Sequence, residues 1–87
     1  MKMPKYKHPK VIEAKLGQEK SDGIMNYQQN TIYVDQRLKG ANKLETYIHE
    51  YLHFLHPDKS EKNVALEAAK ISEFLWLHHF RFVDNIK

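Results

Sequence analysis

Cysteine is absent from this sequence of 87 residues. Without cysteine the chain can form neither a disulfide nor a cysteine-ligated zinc site. A chain of this length buries only roughly 60–65% of the surface that its unfolded form exposes, so its core is small. If the fold needs a cross-link, a metal ion held by histidine and carboxylate side chains is the remaining candidate.

Long hydrophobic runs are also missing. The first nine residues, MKMPKYKHP, lack the apolar segment of a signal peptide, and no stretch is long and apolar enough to span a membrane. We therefore expect a cytoplasmic protein with no membrane partner. Repeats and low-complexity tracts are absent too, so we expect a single domain over residues 1–87.

Charge of one sign does not dominate, because the net charge is only +3. Six of the 14 basic residues are lysines within the first 20 positions. Pro4 and Pro9 oppose helix there, so residues 1–9 are predicted to form a basic extended arm. These lysines are scattered and not interleaved with aromatic side chains, which favours a solvated terminus over a nucleic-acid contact.

Strands are predicted in the first half of the chain. Residues 11–16 favour a strand, although Pro9 and Gly17 around them are also typical of helix ends. A turn at 21–23 follows. Two further strands, Ile24 to Tyr27 and Thr31 to Asp35, flank residues 28–30 as a hairpin would. The prediction is an antiparallel hairpin or a three-stranded sheet.

Two helices are predicted in the second half, after a connection over residues 36–42. The first runs from about Lys43 to His56 and stops at Pro57. The second follows the N-cap residue Ser60, continues to about His79, and buries an apolar stripe of Val64, Ala68, Ile71 and Leu75. The short link predicts a helical hairpin, and strands followed by helices predict an α+β fold of two packed helices after the sheet.

The segment YIHEYLH, residues 47–53, carries the most specific chemistry. At about 100° per residue, the apolar side chains of this helix gather on one side, which is its predicted core face. They are Leu44, Tyr47, Ile48, Tyr51, Leu52 and Leu55. His49, His53 and His56 lie roughly opposite, near Asn42 and Thr46, with Glu50 on the border.

The pattern His49-Glu50-x-x-His53 predicts a metal site. Two histidines four residues apart bring both rings over one point of a helix. Two neutral imidazoles in that geometry can share a tetrahedral Zn²⁺, and the intervening glutamate can act as general base. This is the arrangement of a metal-dependent hydrolase, so we expect Zn²⁺ as cofactor and Glu50 as catalytic base.

A catalytic zinc site needs a third protein ligand. Three candidates fit poorly. His56 is disfavoured because three histidines on one straight helix cannot readily converge on one ion. Glu73 lies opposite the apolar stripe of the second helix, and His78 is too far along that helix.

Glu61 and Glu67 flank the apolar stripe on opposite sides. In an antiparallel hairpin they lie near the levels of His53 and His49 respectively. Each has a competing structural role, Glu61 at the helix N-terminus and Glu67 paired with Lys70, so both stay open.

The combination of motifs resembles a known group of proteins. Thr46-x-x-His49-Glu50-x-x-His53 is followed by Pro57-x-x-Ser60-Glu61-x-x-Val64 and by Ile71-x-x-x-Leu75-Trp76. Over residues 24–82 this is similar to small phage- and bacterium-encoded zincins, and more broadly to minigluzincins and to SprT-like and phage-repressor-cleaving metallopeptidases. In those groups a strand such as Asn30 to Asp35 precedes the motif helix.

The resemblance implies a zinc peptidase fold with His49 and His53 as ligands, Glu50 as base, and Glu61 rather than Glu67 as third ligand. The sequence also departs from the pattern. A glycine usually follows the tryptophan helix where His78 and His79 stand here, and no third histidine of the SprT type is present.

Two functions are therefore predicted. The first is hydrolysis of a peptide or protein substrate that adds as a strand to an exposed sheet edge at Thr31 to Asp35. Tyr27 or Tyr33, or less favourably His78 or His79, are candidates for stabilising the oxyanion, although packing across strands is the commoner role of such tyrosines. The alternative is a non-catalytic domain of phage assembly or regulation, in which zinc only holds the two helices together.

Overall fold

The computed structural model describes residues 6–17 and 22–83. Over these residues the chain forms a mixed three-stranded sheet followed by two packed helices, which confirms the predicted α+β fold. None of the described helices is both long and apolar enough to cross a bilayer. The elements are β1 (Lys10–Ala14), β2 (Gly23–Asn26), β3 (Thr31–Asp35), α1 (Gly40–Leu55) and α2 (Glu61–Leu77).

The sheet has the order β1-β3-β2, so β3 is its central strand. It pairs in parallel with β1 and antiparallel with β2. The prediction that Thr31–Asp35 is an exposed edge is therefore wrong, because pairing on both sides takes up its backbone hydrogen-bonding groups. The edge strand that lies beside the candidate site is β2.

The predicted hairpin between β2 and β3 is confirmed. Its turn spans residues 27–30, where the Asn30 N–H donates to the Tyr27 carbonyl and Asn30 has a φ of 51°. Asparagine tolerates this left-handed conformation better than most residues. A strand also forms where one was predicted over residues 11–16, but it is β1, Lys10–Ala14, and it does not include residues 15 and 16.

The connection from β3 to α1 is fixed by an ion pair. Arg37 donates from Nε and Nη2 to the two carboxylate oxygens of Asp35, at 3.0 and 2.8 Å. These hydrogen bonds lower the pKa of Asp35 to about 2. Helix α1 then begins at Gly40, three residues before the predicted start, with the positive φ of 61° that favours glycine.

Helix α1 is buried on two sides, whereas the sequence predicts only one buried face, the apolar stripe. Leu52 packs against Val64 and Ala68 of α2, as expected of the core face. Thr46 and Glu50, on another side, are also buried, whereas Leu55 is 47% exposed. The reason is that the sheet packs on α1 as well as α2 does, so a polar side of the helix is enclosed.

Helix α2 begins as predicted, because the Ser60 hydroxyl accepts the Asn63 N–H at 3.1 Å. Its buried positions are Val64, Ala68 and Ser72, spaced four residues apart. The prediction that Ile71 belongs to the buried stripe is wrong, since it is 40% exposed.

The helix ends at Leu77, before the predicted end at His79. His79 has a φ of 69°, and the Phe80 N–H donates to the Leu75 carbonyl at 3.0 Å. This geometry is typical of a helix end that usually carries glycine.

Only part of the predicted basic arm lies within the described residues. Residues 6–9 form neither helix nor strand. They run beside α1, where His8 Nδ1 lies 2.8 Å from the Tyr51 hydroxyl. Residues 1–5, which include Pro4, and residues 18–21, which include the start of the predicted turn at 21–23, lie outside the described part.

Candidate metal centre

Three side chains converge between the two helices. His49 Nε2 lies 2.8 Å from Glu61 Oε2, and His53 Nε2 lies 2.8 Å from Glu61 Oε1. The two imidazole rings are 5.0 Å apart between centroids. The structure thus brings together the two predicted histidine ligands and one of the two predicted glutamates.

Local sequence explains this convergence. His49 and His53 are neighbours on one face of α1 because they are four residues apart. Pro57 follows the end of α1, and the Lys59 N–H donates to the His56 carbonyl in the intervening turn. Glu61 is the first residue of α2, so the tight turn returns its carboxylate to the level of the last turns of α1.

Glu50 is buried next to the histidines, with 7% of its surface exposed. Burial raises the pKa of its carboxyl group, while the neighbouring His49 and His53 oppose that increase. The backbone N–H of Met25, in β2, donates to the carboxylate. The edge strand β2 therefore lies directly against the Glu50 side chain.

Gly23 is a site residue that the sequence reasoning missed. A Cβ atom at this position would lie 2.7 Å from Thr46 Cγ2 and 3.0 Å from Glu50 Cγ. Only glycine allows β2 to approach α1 this closely, which is what brings the Met25 N–H to Glu50. In the sequence, the role of Gly23 could be inferred only from its position next to Asp22, shortly before a strand. That pair predicts a turn and does not indicate a close contact with a helix.

A cleft of about 780 Å³ opens beside these residues. Its floor is α1, one wall is β2 with the residues next to it, and Glu61 of α2 lies at its end. The cleft is large enough for several side chains of a peptide, since ligand sites commonly measure about 300–1,000 Å³. The lining residues are Asp22, Gly23, Ile24, Met25, Tyr27, Asn42, Glu45, Thr46, His49, Glu50, His53 and Glu61.

Glu67, the alternative third ligand, is engaged elsewhere. Lys59 Nζ donates to both of its carboxylate oxygens, at 2.8 and 2.9 Å. This contact is the main reason why the pKa of Glu67 is lowered. The predicted partner Lys70 contributes only a weaker attraction, because the turn residue Lys59 lies closer.

The other candidates lie outside the converging group. Among the described residues, the histidines and carboxylates able to share one ion are His49, His53 and Glu61 alone, which leaves out His56, Glu73 and His78. Like His78, His79 lies beyond the far end of α2.

Of the two tyrosines, Tyr27 lines the cleft but donates its hydroxyl proton to the His53 carbonyl at 3.0 Å. Tyr33 donates instead to Gln29 Oε1 at 2.6 Å.

The converging group fits a metal ion. Its ligand atoms lie within 4.8 Å of one another. A tetrahedral ion with bonds of ~2.0–2.1 Å needs donor atoms about 3.3 Å apart. The two 2.8 Å contacts are shorter than this by only about half an ångström. Because 70% of the Glu61 side chain is exposed, it can withdraw by that amount, so His49, His53 and Glu61 could hold a metal ion.

A second hollow, of about 350 Å³, lies at the start of α1. Lys43 makes an ion pair with Glu13 at 2.9 Å, and its ammonium lies 4.5 Å from the centroid of the Phe82 ring. The guanidinium of Arg81 stacks 3.5 Å above Trp76. These contacts hold Phe82 against the start of α1 and Arg81 against the end of α2.

Comparison with known proteins found no match. Neither a protein-family profile, nor a curated protein, nor a solved structure corresponds to this chain. The similarity to zincins seen in the sequence therefore stays a prediction, and the function is argued from the geometry of the site.

Proposed function

We propose that this protein is a zinc-dependent peptidase. The observation that carries the proposal is the convergence of His49 Nε2 and His53 Nε2 on the two oxygens of Glu61, next to a buried glutamate and at the floor of an open cleft. Two histidines and one carboxylate are a common ligand set of catalytic zinc, which keeps one position open for water or substrate.

In this proposal His49, His53 and Glu61 hold the ion. Zinc bound there supplies Lewis acidity, which polarises a peptide carbonyl and makes water a nucleophile at neutral pH. The three side chains come from two helices that pack on each other, so this packing holds their backbones near one another without an ion.

Glu50 is the proposed general base. It accepts a proton as the oxygen of water forms a bond to the carbonyl carbon. It then gives this proton to the amide nitrogen as the carbon–nitrogen bond breaks, so the products are a carboxylic acid and an amine. The Met25 N–H occupies part of the Glu50 carboxylate and leaves the remaining lone pairs for the proton.

The edge strand β2 is the proposed docking edge for the substrate, in place of β3. Because the Asp35 N–H donates to the Asp22 carbonyl, the antiparallel pattern turns the backbone groups of Gly23 and Met25 away from β3. These groups face the cleft side of the sheet. Because the Met25 N–H already serves Glu50, an extended peptide would pair with this edge through the Met25 carbonyl, and its side chains would then enter the cleft.

A zinc-stabilised interaction domain is the second candidate. It is favoured by one feature, that Glu61 belongs to α2 whereas both histidines belong to α1. An ion at this site would join the two helices and stabilise a small fold. A buried carboxylate at the position of Glu50 has no role in such a site, which is why we favour the peptidase.

The change Glu50→Gln separates the two functions. Glutamine keeps the shape and can still accept the Met25 N–H, but it cannot take up the proton. We expect zinc content and thermal stability to stay nearly unchanged. Hydrolysis of a peptide library should fall by at least ~10²-fold, the low end for general acid–base catalysis.

Glu73→Gln is the matched control, because Glu73 is an exposed glutamate of α2 outside the cleft. Equal cleavage by wild type and the Glu50 variant would contradict the proposed base. If no peptide is cleaved and chelation of zinc unfolds the protein, the interaction domain is the better description.

A further inference from the structure

We propose that the cleft selects peptides with a lysine or arginine on the carboxyl side of the cleaved bond, through Glu45 and Asp22. This inference rests on the proposed peptidase function and names its substrate class. It follows from the charges that line the cleft, from their position relative to the metal centre, and from the direction of β2.

The lining of the cleft is acidic although the chain as a whole is basic. Four carboxylates line it, from Asp22, Glu45, Glu50 and Glu61. Within the part of the chain that the structure describes, no lysine or arginine lines the cleft. Such a single-signed cleft attracts a ligand of the opposite charge.

A zinc ion held by the proposed site would not cancel all of this negative charge. Two of the four carboxylates, Glu61 and Glu50, lie at the metal centre, and together they balance the two positive charges of Zn²⁺. The charges of Asp22 and Glu45 then remain. They are available to a cationic side chain of the substrate.

Both remaining carboxylates lie at the same end of the cleft. Glu45 precedes His49 by four residues on α1, which is about one helical turn or ~5–6 Å towards the start of the helix. Asp22 directly precedes Gly23, which contacts Thr46, the neighbour of Glu45. Tyr27 lies at the other end, since its hydroxyl bonds to the His53 carbonyl.

Neither carboxylate has a close cationic partner among residues 6–17 and 22–83. The Glu45 carboxylate makes no hydrogen bond or ion pair with any other residue that the structure describes. Arg37 attracts Asp22 only at longer range, and its guanidinium is held by Asp35 at 2.8 Å. A substrate lysine or arginine can therefore pair with both.

The direction of β2 decides on which side of the scissile bond the basic residue lies. Gly23, at the start of β2, lies beside Thr46 and Glu50. The hydroxyl of Tyr27, directly after β2, donates to the His53 carbonyl, so β2 and α1 run in the same sense. Antiparallel pairing is the more stable and more frequent arrangement. A peptide antiparallel to β2 has its carboxyl end at Asp22 and Glu45.

The test uses a randomised decapeptide library with the zinc-loaded protein, and mass spectrometry to locate the cleaved bonds. Wild type should enrich lysine and arginine about fivefold at one of the two positions after the cleaved bond, since each exposed ion pair contributes modestly. The preference should weaken in high salt. It should vanish in Asp22→Asn/Glu45→Gln, persist in the control Glu73→Gln, and shift towards acidic residues in Glu45→Lys.

The outcomes separate this inference from the proposed function. Cleavage that depends on Glu50 but shows no preference for basic residues overturns the inference and leaves the proposed peptidase function standing. A preference for basic residues before the cleaved bond does the same.

If nothing is cleaved, binding to the protein in zinc buffer is measured for two fluorescent decapeptides that differ only in having lysine or glutamine at one position. Tighter binding of the lysine peptide, lost in the double variant, then supports the acidic cleft; equal binding overturns it.

Discussion

The two hollows beside α1 both contain charged side chains, but they use them differently. In the second hollow, cations face opposite charges or aromatic rings: Lys43 pairs with Glu13, and Arg81 stacks on Trp76. In the metal cleft, two imidazoles and a carboxylate, all electron-pair donors, point at a common centre. Lys43 and Arg81 thus have their partners within the protein, whereas the group in the cleft could hold a metal ion.

This difference predicts separate consequences for substitutions. Changes in the second hollow should alter folding stability without affecting metal binding, because its contacts join the end of the described chain to α1. Changes in the cleft should alter metal binding and catalysis, because the side chains concerned contribute little apolar packing. The predictions below test this separation.

The largest effect is expected from His49→Ala and His53→Ala. Each removes one of three protein ligands, so zinc affinity should fall by more than about 100-fold, since loss of a residue that only supports a ligand costs 10–100-fold. Isothermal titration and elemental analysis of the purified protein measure this. His56→Ala, one turn beyond His53 and outside the group, is the control, and full zinc occupancy in either ligand variant would refute the site.

A smaller effect is expected from Glu61→Ala, because two histidines still remain. Zinc affinity should fall about 10- to 100-fold, measured by competition with a chromogenic chelator. Glu67→Ala should leave zinc affinity unchanged and lower the free energy of unfolding by less than about 1 kcal/mol, since it removes only the partly exposed pair with Lys59. A reversed ranking would move the third ligand to Glu67.

Gly23→Ala should affect the cleft through its backbone. The added Cβ meets Thr46 Cγ2 at 2.7 Å, so β2 or Glu50 must move, and overpacking of this kind costs about 1–3 kcal/mol in unfolding free energy. Hydrolysis should fall more than zinc affinity does, because Glu50 moves while the histidines stay.

The second change Thr46→Ser provides a rescue experiment for Gly23→Ala. It removes the obstructing methyl group and keeps the hydroxyl that donates to the Asn42 carbonyl. The double variant should recover part of the lost stability and rate. If it recovers neither, the contact with Thr46 is not the cause.

The order of elements could be predicted because it follows from local signals. Pro57 ends α1, Ser60 caps α2, and the alternation of Thr31 to Asp35 predicts a strand. The position of that strand could not be predicted, because pairing of β3 with β1, far apart in sequence, decides which strand is central. From the sequence alone, the exposed edge of the sheet is therefore expected at β3, whereas the structure has it at β2.

Some features of the candidate site can likewise be predicted from local sequence, whereas others depend on tertiary contacts. The spacing of His49 and His53 alone predicts their convergence, since one helix turn sets it. The choice of Glu61 over Glu67 depends on how α2 crosses α1, and on the turn residue Lys59, which captures Glu67. The burial of Glu50 and the need for Gly23 depend on how closely β2 approaches α1, a tertiary contact that no local pattern encodes.

No effect on the metal centre is expected from Phe82→Ala, in the second hollow. The ring lies 5.0 Å from that of Tyr47 and under the ammonium of Lys43. Loss of one aromatic pair and one cation–π contact should lower the free energy of unfolding by about 1–2 kcal/mol, measured by urea denaturation at fixed zinc concentration. Phe80→Ala is the matched control, because Phe80 is 58% exposed, and it should change stability by less than about 0.5 kcal/mol.

Zinc affinity should be unchanged in both variants, because neither ring reaches the cleft. A loss of zinc binding in Phe82→Ala alone would show that the two hollows are coupled through α1, and would end the separation between them.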